Sequence, residues 1–161
     1  NVDPAAVEAA ITAHTRAVIA VDYAGQPADL DELRSITTRH GLWQIEDAAH
    51  AIGATYKGRA VGSISDLTTF STHPVKHVTT GEGGVVTTAD ETVAQRLRWF
   101  RNHGITSDHR QRAEKGGWYY EMVDLGYNYR LPNINAALGY FSRAQFLVSP
   151  GFHNHFQSAA A

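Results

Sequence analysis

Lys76 is closely flanked by two histidines in the run Phe70-Ser71-Thr72-His73-Pro74-Val75-Lys76-His77. A lysine in an apolar pocket is driven toward its neutral amine, because burial penalises the charge and cationic neighbours act the same way. Such an amine is a nucleophile suited to imine formation with a carbonyl, whereas on an open surface loop it would be an ordinary solvated cation. Asp47 and His50 form a second polar cluster, three residues apart, so a helical turn would aim both at one ligand. Asp47 also reads as the N-cap of a helix starting at Ala48. After the lysine comes Thr79-Thr80-Gly81-Glu82-Gly83-Gly84, whose glycines permit tight backbone turns beside a ligand. It is not a Walker loop, since no Gly-Lys-Ser/Thr follows, and not a G-x-G-x-x-G turn, since a strand comes next.

The elements that must position these groups follow from periodicity. Asp3-Pro4 starts a helix, with Val7, Ala10, Ile11 and His14 on one face. Ala17–Val21 is a continuous apolar run ending at Asp22, as in a strand buried on both faces. Residues 29–39 form a second helix with Leu30, Leu33 and Ile36/Thr37 inward, closed by Gly41. Leu42–Ile45 is the next strand and stops at Glu46-Asp47, so the unit is βαβ and the sheet parallel. Residues 66–71 and 84–88 are further strands, and 90–101 is a helix with Val93, Leu97 and Phe100 on one side. The segment 107–117 is polar and reads as a loop, and a last helix runs from Leu131 to about Leu147. In open parallel sheets ligands collect beyond the carboxyl ends of the strands, where Asp22-Tyr23, Asp47 with His50, and Ser71 to Lys76 all fall.

Composition narrows the classes. The chain has 161 residues, 43% hydrophobic and 19% charged, with 14 Lys+Arg against 16 Asp+Glu and a net charge of −2. That balance excludes a disordered chain and argues against nucleic acid as a partner. No apolar run reaches the roughly 20 residues of a membrane span. Cysteine is absent, which removes disulfides, thiolate metal sites and a cysteine nucleophile; a reducing, cytoplasmic location is expected. His153 and His155 in the tail have no further ligand near them for a metal site.

Four segments in order carry a resemblance: Glu46-Asp47-Ala48-Ala49-His50-Ala51, Phe70 to Lys76, Thr80-Gly81-Glu82-Gly83-Gly84, and Leu125-Gly126-Tyr127-Asn128-Tyr129-Arg130-Leu131. Together, and with the 29-residue step from Asp47 to Lys76, they resemble the pyridoxal-phosphate-dependent nucleotide-sugar aminotransferases over residues 1–147. The resemblance implies part of the large domain of a fold-type-I enzyme, α/β with a mostly parallel sheet and helices on both faces. It also implies pyridoxal 5'-phosphate as cofactor and a homodimer. Lys76 aligns with the lysine of the internal aldimine, which then shuttles the proton between substrate carbon and cofactor C4′. Asp47 aligns with the partner of the pyridine nitrogen, Ala49 with the residue under the ring, and His50 with a group near the phenolic oxygen. Ser71 aligns with a phosphate-binding hydroxyl, and Asn128 with a residue reaching the phosphate of the neighbouring subunit. The dehydratase branch of the superfamily carries His where Lys76 stands.

Two positions depart from the family pattern: Thr72 replaces a usual aromatic, and Leu131-Pro132-Asn133-Ile134-Asn135 replaces a typical Leu-Thr-Asp-Ile-Gln. Neither touches the lysine or the aspartate. Residues 101–108 and 118–122 are most similar to the pseudaminic acid branch, which transfers the amino group of L-glutamate to C4 of a UDP-linked 4-keto-6-deoxy-N-acetylhexosamine. Perosamine-type and 4-aminoarabinose-type enzymes are the alternatives, with a non-catalytic truncated product as a third class. Trp118, Tyr119 and Tyr120 read either as a stacking platform for sugar or base or as loop packing. Family members are more than twice as long, so residues 1–147 are expected to be a partial large domain, inactive alone, and 148–161 an aberrant or disordered tail.

Overall fold

The computed structural model describes residues 1–106, 112–114 and 116–148. The tail from 149 onward, with His153 and His155, lies outside the described residues, as does part of the polar 107–117 segment. The chain divides into two compact units, one of residues 1–89 with the helix that begins at Asn133, the other Asp90–Pro132.

In the first unit, α1 (Pro4–Ala10) begins where the Asp3 carboxylate accepts the N–H of Ala5 at 3.0 Å, with Pro4 in the first turn. The helix ends at Ala10, so Ile11 and His14 fall beyond the face expected of them. β1 (Ala17–Val21) leads through a 3-10 turn at Tyr23–Gly25 to α2 (Leu30–His40), which closes on Gly41 at φ 63°. Gly41 supplies the left-handed conformation the cap requires. β2 (Trp43–Asp47) runs two residues further than its apolar core suggested, so Glu46 and Asp47 belong to the sheet. A hairpin follows, β3 (Thr55–Tyr56) and β4 (Arg59–Ala60), then β5 (Leu67–Ser71) and β6 (Gly84–Thr87).

The sheet order is β1-β2-β5-β6. The first three strands are parallel, with Val21 opposite Asp47 and Asp47 opposite Thr69. β6 is antiparallel to β5, with Ser71 opposite Gly84. A parallel return needs a crossover, usually a helix; residues 72–83 are turns, so the chain doubles back. Side chains alternate between faces along each strand. Val18, Ala20, Gln44, Glu46 and Thr68 are buried on the face where Leu30 and Leu33 of α2 close the core. Burying each such aliphatic side chain contributes roughly 1.5–3 kcal/mol. The opposite face carries Asp47 and Thr69, together with Ile19, Val21 and Trp43, which are exposed. α2 is tied to the start of β5 by Arg34, which donates to Asp66 at 2.6 Å and to the Ile64 carbonyl at 2.8 Å. The last helix, α4 (Asn133–Val148), starts after Pro132 rather than at Leu131.

The second unit holds α3 (Glu91–Phe100), capped by Asp90, which accepts the N–H groups of Thr92 and Val93. Its remaining backbone bridges Asn102 to Asn128 and Ile105 to Met122. The ring of Tyr127 stacks on Tyr129, centroids 5.1 Å apart, and Phe100 meets both edge-on. Among the described residues no helix is long and apolar enough to cross a membrane.

Candidate functional site

Asp47 ends β2 with a half-buried side chain, and its Oδ1 accepts the N–H of Ala49 at 3.1 Å. That bond is the local cap the sequence allowed, but it stabilises a turn at Ala49-His50 and no helix follows. Ala48 and Ala51 are buried beneath the turn against Val61 and Phe70, which leaves Ala49 half-buried and His50 exposed. The His50 ring meets Tyr23 edge-on at 6.1 Å, linking the turns that follow β2 and β1. Among the described residues, Asp47 Oδ2 has no donor.

Ser71 ends β5 on the face of Asp47, two residues beyond Thr69. Its Oγ accepts the His73 N–H at 3.3 Å, so its own proton is available to a ligand. From here residues 72–83 form a loop closed at its base. Thr72 N donates to the Gly83 carbonyl at 3.0 Å, and Thr80 N to the Thr72 carbonyl at 2.9 Å. The hydroxyls of Thr72 and Thr80, both buried, meet at 2.6 Å. Thr72 is thus a hydroxyl clamp in this chain, which gives a small polar residue a physical role at this position.

Lys76 sits on the tip of that loop, where its N–H donates to the His73 carbonyl at 2.9 Å. Its side chain is half-buried, and among the described residues its amine has no hydrogen-bond or ion-pair partner. His77, next to it, is half-buried with its ring 6.2 Å from Phe146. Burial first, then the charges of Lys76 and His50, hold its pKa below the ordinary histidine value. The loop after β5 and the turn after β2 therefore bring Lys76 and His50 within electrostatic reach of His77.

A support not evident in the sequence is α4. Asn135 Nδ2 donates to the Thr80 carbonyl at 2.6 Å, and Ser142 Oγ accepts the Thr79 N–H at 3.0 Å. Between them on the same helical face, a Cβ on Gly139 would come within 2.6 Å of the Thr80 methyl. The i, i+4, i+7 pattern of Asn135, Gly139 and Ser142 was available to be read, but nothing in the chain says what it faces. Asn128 belongs to the second unit, exposed, on the backbone that bridges Asn102. Trp118, Tyr119 and Tyr120 are exposed there too, with the Tyr119 hydroxyl donating to Glu121 at 2.6 Å.

The atoms left without a partner among the described residues form a set of complementary donors and acceptors. An amine on a clamped turn suits an aldehyde, a carboxylate oxygen suits a ring N–H, and a free hydroxyl proton suits a phosphate oxygen. That set fits pyridoxal phosphate.

The sequence model of the DegT/DnrJ/EryC1/StrS aminotransferase family matches residues 1–146. Over 140 residues the chain is 44% identical to the Bacillus subtilis spore coat polysaccharide biosynthesis protein SpsC, covering 86% of this chain and 36% of that protein. Helicobacter pylori PseC, an aminotransferase in the biosynthesis of pseudoaminic acid, superposes with a TM-score of 0.83 at 31% identity, over 91% of this chain and 38% of that one. The Streptococcus pneumoniae sugar aminotransferase Spr1654 in its PMP form gives 0.80 at 32% identity, over 90% and 42% respectively, and it is also solved in a PLP form. The chain spans about 36% of the length of the curated relatives it matches.

Proposed function

The chain belongs to the DegT/DnrJ/EryC1/StrS aminotransferase family, and from that premise we propose that it carries the lysine-bearing part of a pyridoxal-phosphate-dependent nucleotide-sugar aminotransferase. The observation that carries this reading is Lys76, an amine without a partner among the described residues, on a hydroxyl-clamped turn that follows the strand beside Asp47.

When bound, pyridoxal phosphate supplies an aldehyde and an electron-accepting ring. Lys76 Nζ would hold the aldehyde of the cofactor and, when free of it, would take and return the substrate's proton. Asp47 would hold a proton on the pyridine nitrogen through its open oxygen. Ala49 and His50 would line the ring, and Ser71 would donate its hydroxyl to the phosphate. Asn128 would serve the phosphate of the neighbouring subunit in a homodimer. The loop base at Thr72 and Thr80 fixes where the amine starts from.

The proposed substrates are L-glutamate and a UDP-linked 4-keto-6-deoxy-N-acetylhexosamine. The amino group passes to the C4 ketone and glutamate leaves as 2-oxoglutarate, so the two half-reactions balance. Similarity to PseC favours this sugar. Residues 1–147 are read as part of a longer large domain and the 161-residue chain alone as inactive, with Ile19, Val21 and Trp43 left exposed on the face that carries Asp47. The test is turnover by the complete protein with glutamate and a panel of nucleotide-linked keto sugars. Aminated product from the UDP-4-keto-6-deoxy-N-acetylhexosamine supports the proposal. Product only from a perosamine or 4-aminoarabinose precursor moves the enzyme to that branch. No amination of any of them overturns the reading.

A further inference from the structure

Two carboxyls that this chemistry leaves unused stand side by side inside the sheet. Asp22 follows the last residue of β1, Glu46 precedes Asp47 on β2, and both are 0% exposed. The register sets Ala20 opposite Glu46, so Asp22, two residues on, shares that face. One oxygen of each carboxyl is satisfied. Asp22 Oδ1 accepts the N–H of Ala28 at 3.0 Å, and Glu46 Oε2 accepts the Thr68 hydroxyl at 2.8 Å.

The other two oxygens, Asp22 Oδ2 and Glu46 Oε1, are buried without a donor among the described residues, on the same face of the two adjacent strand ends. Two carboxylates offer only acceptors, so a hydrogen bond between them requires a proton. The charges acting on Asp22 are those of Glu46 and Asp47, both acidic. Around the pair, β5 presents the Thr68 hydroxyl, and α2 with the loop before it presents the Ala28 N–H, Leu30 and Leu33. Arg34 of α2 is engaged by Asp66 and the Ile64 carbonyl.

We propose that Asp22 and Glu46 form a carboxylic acid–carboxylate pair sharing one proton, and that the pair positions Asp47 by locking the end of β1 to the end of β2. The backbone continues the lock, because Asp22 N donates to the Asp47 carbonyl at 3.0 Å and Thr69 Oγ1 to the Glu46 carbonyl at 3.4 Å. The role toward Asp47 rests on the function proposed above; the shared proton does not.

Burial, then the facing Glu46, pushes the Asp22 carboxyl up to about 7. The unfolded chain releases this proton near the ordinary value of 3.8. Between the two values the folded chain holds the extra proton, so stability falls as pH rises through the window and levels off above about 7.

The experiment uses the complete protein, first without cofactor. Infrared difference spectra and urea midpoints are recorded from about pH 5 to pH 9 for wild type, Asp22→Asn and Glu46→Gln. Either amide can donate where the acid did, so the contact survives without titrating. A buried protonated-carboxyl band present in wild type near pH 6 and missing from both variants is expected. A pH-dependent fall of the midpoint that flattens in the variants is expected with it. If one variant does not fold, the other gives the same readout. A wild type with no such band, or variants with an unchanged pH profile, overturns the shared proton.

The second arm loads the protein with pyridoxal phosphate and follows the cofactor absorbance against pH. A transition near pH 7 in wild type that is absent from Asp22→Asn is expected. Identical profiles overturn the positioning role. A wild type that takes up no pyridoxal phosphate overturns the functional reading and the positioning role together, while the infrared result still decides the proton.

Discussion

The backbone N–H of Asp22 donates to the carbonyl oxygen of Asp47 across 3.0 Å, so the residue that leaves β1 fixes the residue that ends β2. Asp47 then turns the chain by accepting the N–H of Ala49 at 3.1 Å. Its side chain points to the open face of the sheet while Asp22 and Glu46 lie buried on the other. An acid presented at a strand end is held by acids behind it, with the lysine loop supplied by the next strand over.

Thr68 is fully buried and donates to Glu46 Oε2 at 2.8 Å. Thr68→Val keeps the shape and leaves that oxygen without a donor, which costs about 1–3 kcal/mol. Urea unfolding at neutral pH measures it. A variant as stable as wild type would mean that the Thr68 bond does not hold Glu46.

A Cβ on Gly104, at φ 68°, would come within 1.8 Å of the Asp124 carbonyl oxygen. Gly41, at φ 63°, has nothing within 4 Å. Gly41→Ala should cost about 1 kcal/mol from backbone strain alone. Gly104→Ala should exceed that by at least about 2 kcal/mol, since the backbone must move. Hydrogen exchange should then report accelerated opening of residues 90–132. Equal costs for the two variants would remove the close approach from the account.

His77 titrates below an ordinary histidine because of burial, Lys76 and His50, in that order. As pH falls through the ordinary value of 6.5, the unfolded chain takes up a proton that the folded chain resists. Stability is therefore full above that value and is lost as pH falls toward the folded pKa. Relative to wild type, the urea midpoint of His77→Gln should rise as pH falls from about 7 to about 5, against the common slope of opposite sign that Asp22 gives to both proteins. A constant difference between the two proteins would mean that His77 is not desolvated.

Much of this arrangement is legible in the chain. Asp3-Pro4 and Gly41 mark helix ends through local bonding, and the apolar runs of β1 and β2 announce parallel strands. But β1 is buried on one face only: Ile19 and Val21 are exposed where the continuous run predicts burial on both faces. The order of the Asp47, Lys76 and glycine-rich segments points to their chemistry. The β3–β4 hairpin turns on Lys57 and Gly58, both at positive φ; Lys-Gly is not among the dipeptides such turns favour, so the signal is weak. β6 reads as a strand, but its direction follows from a loop without a helix. Asp22 and Glu46, 24 positions apart, share one buried face through strand register, which no local pattern encodes. The fixing of the lysine loop by Asn135 and Ser142 is hidden for the same reason.

Asp47→Asn in the complete protein should retain bound pyridoxal phosphate and lower kcat on the order of a hundredfold or more, the effect of removing a preorganised charge from a reacting group. Steady-state kinetics with saturating glutamate reads it. A kcat within about twofold of wild type would remove Asp47 from the pyridine nitrogen.

The most direct test of the account is reduction with borohydride after incubating the complete protein with pyridoxal phosphate, followed by peptide mass mapping. One pyridoxyl adduct per subunit, on Lys76 and lost in Lys76→Ala, is the predicted result. An adduct on another lysine, or none, contradicts it.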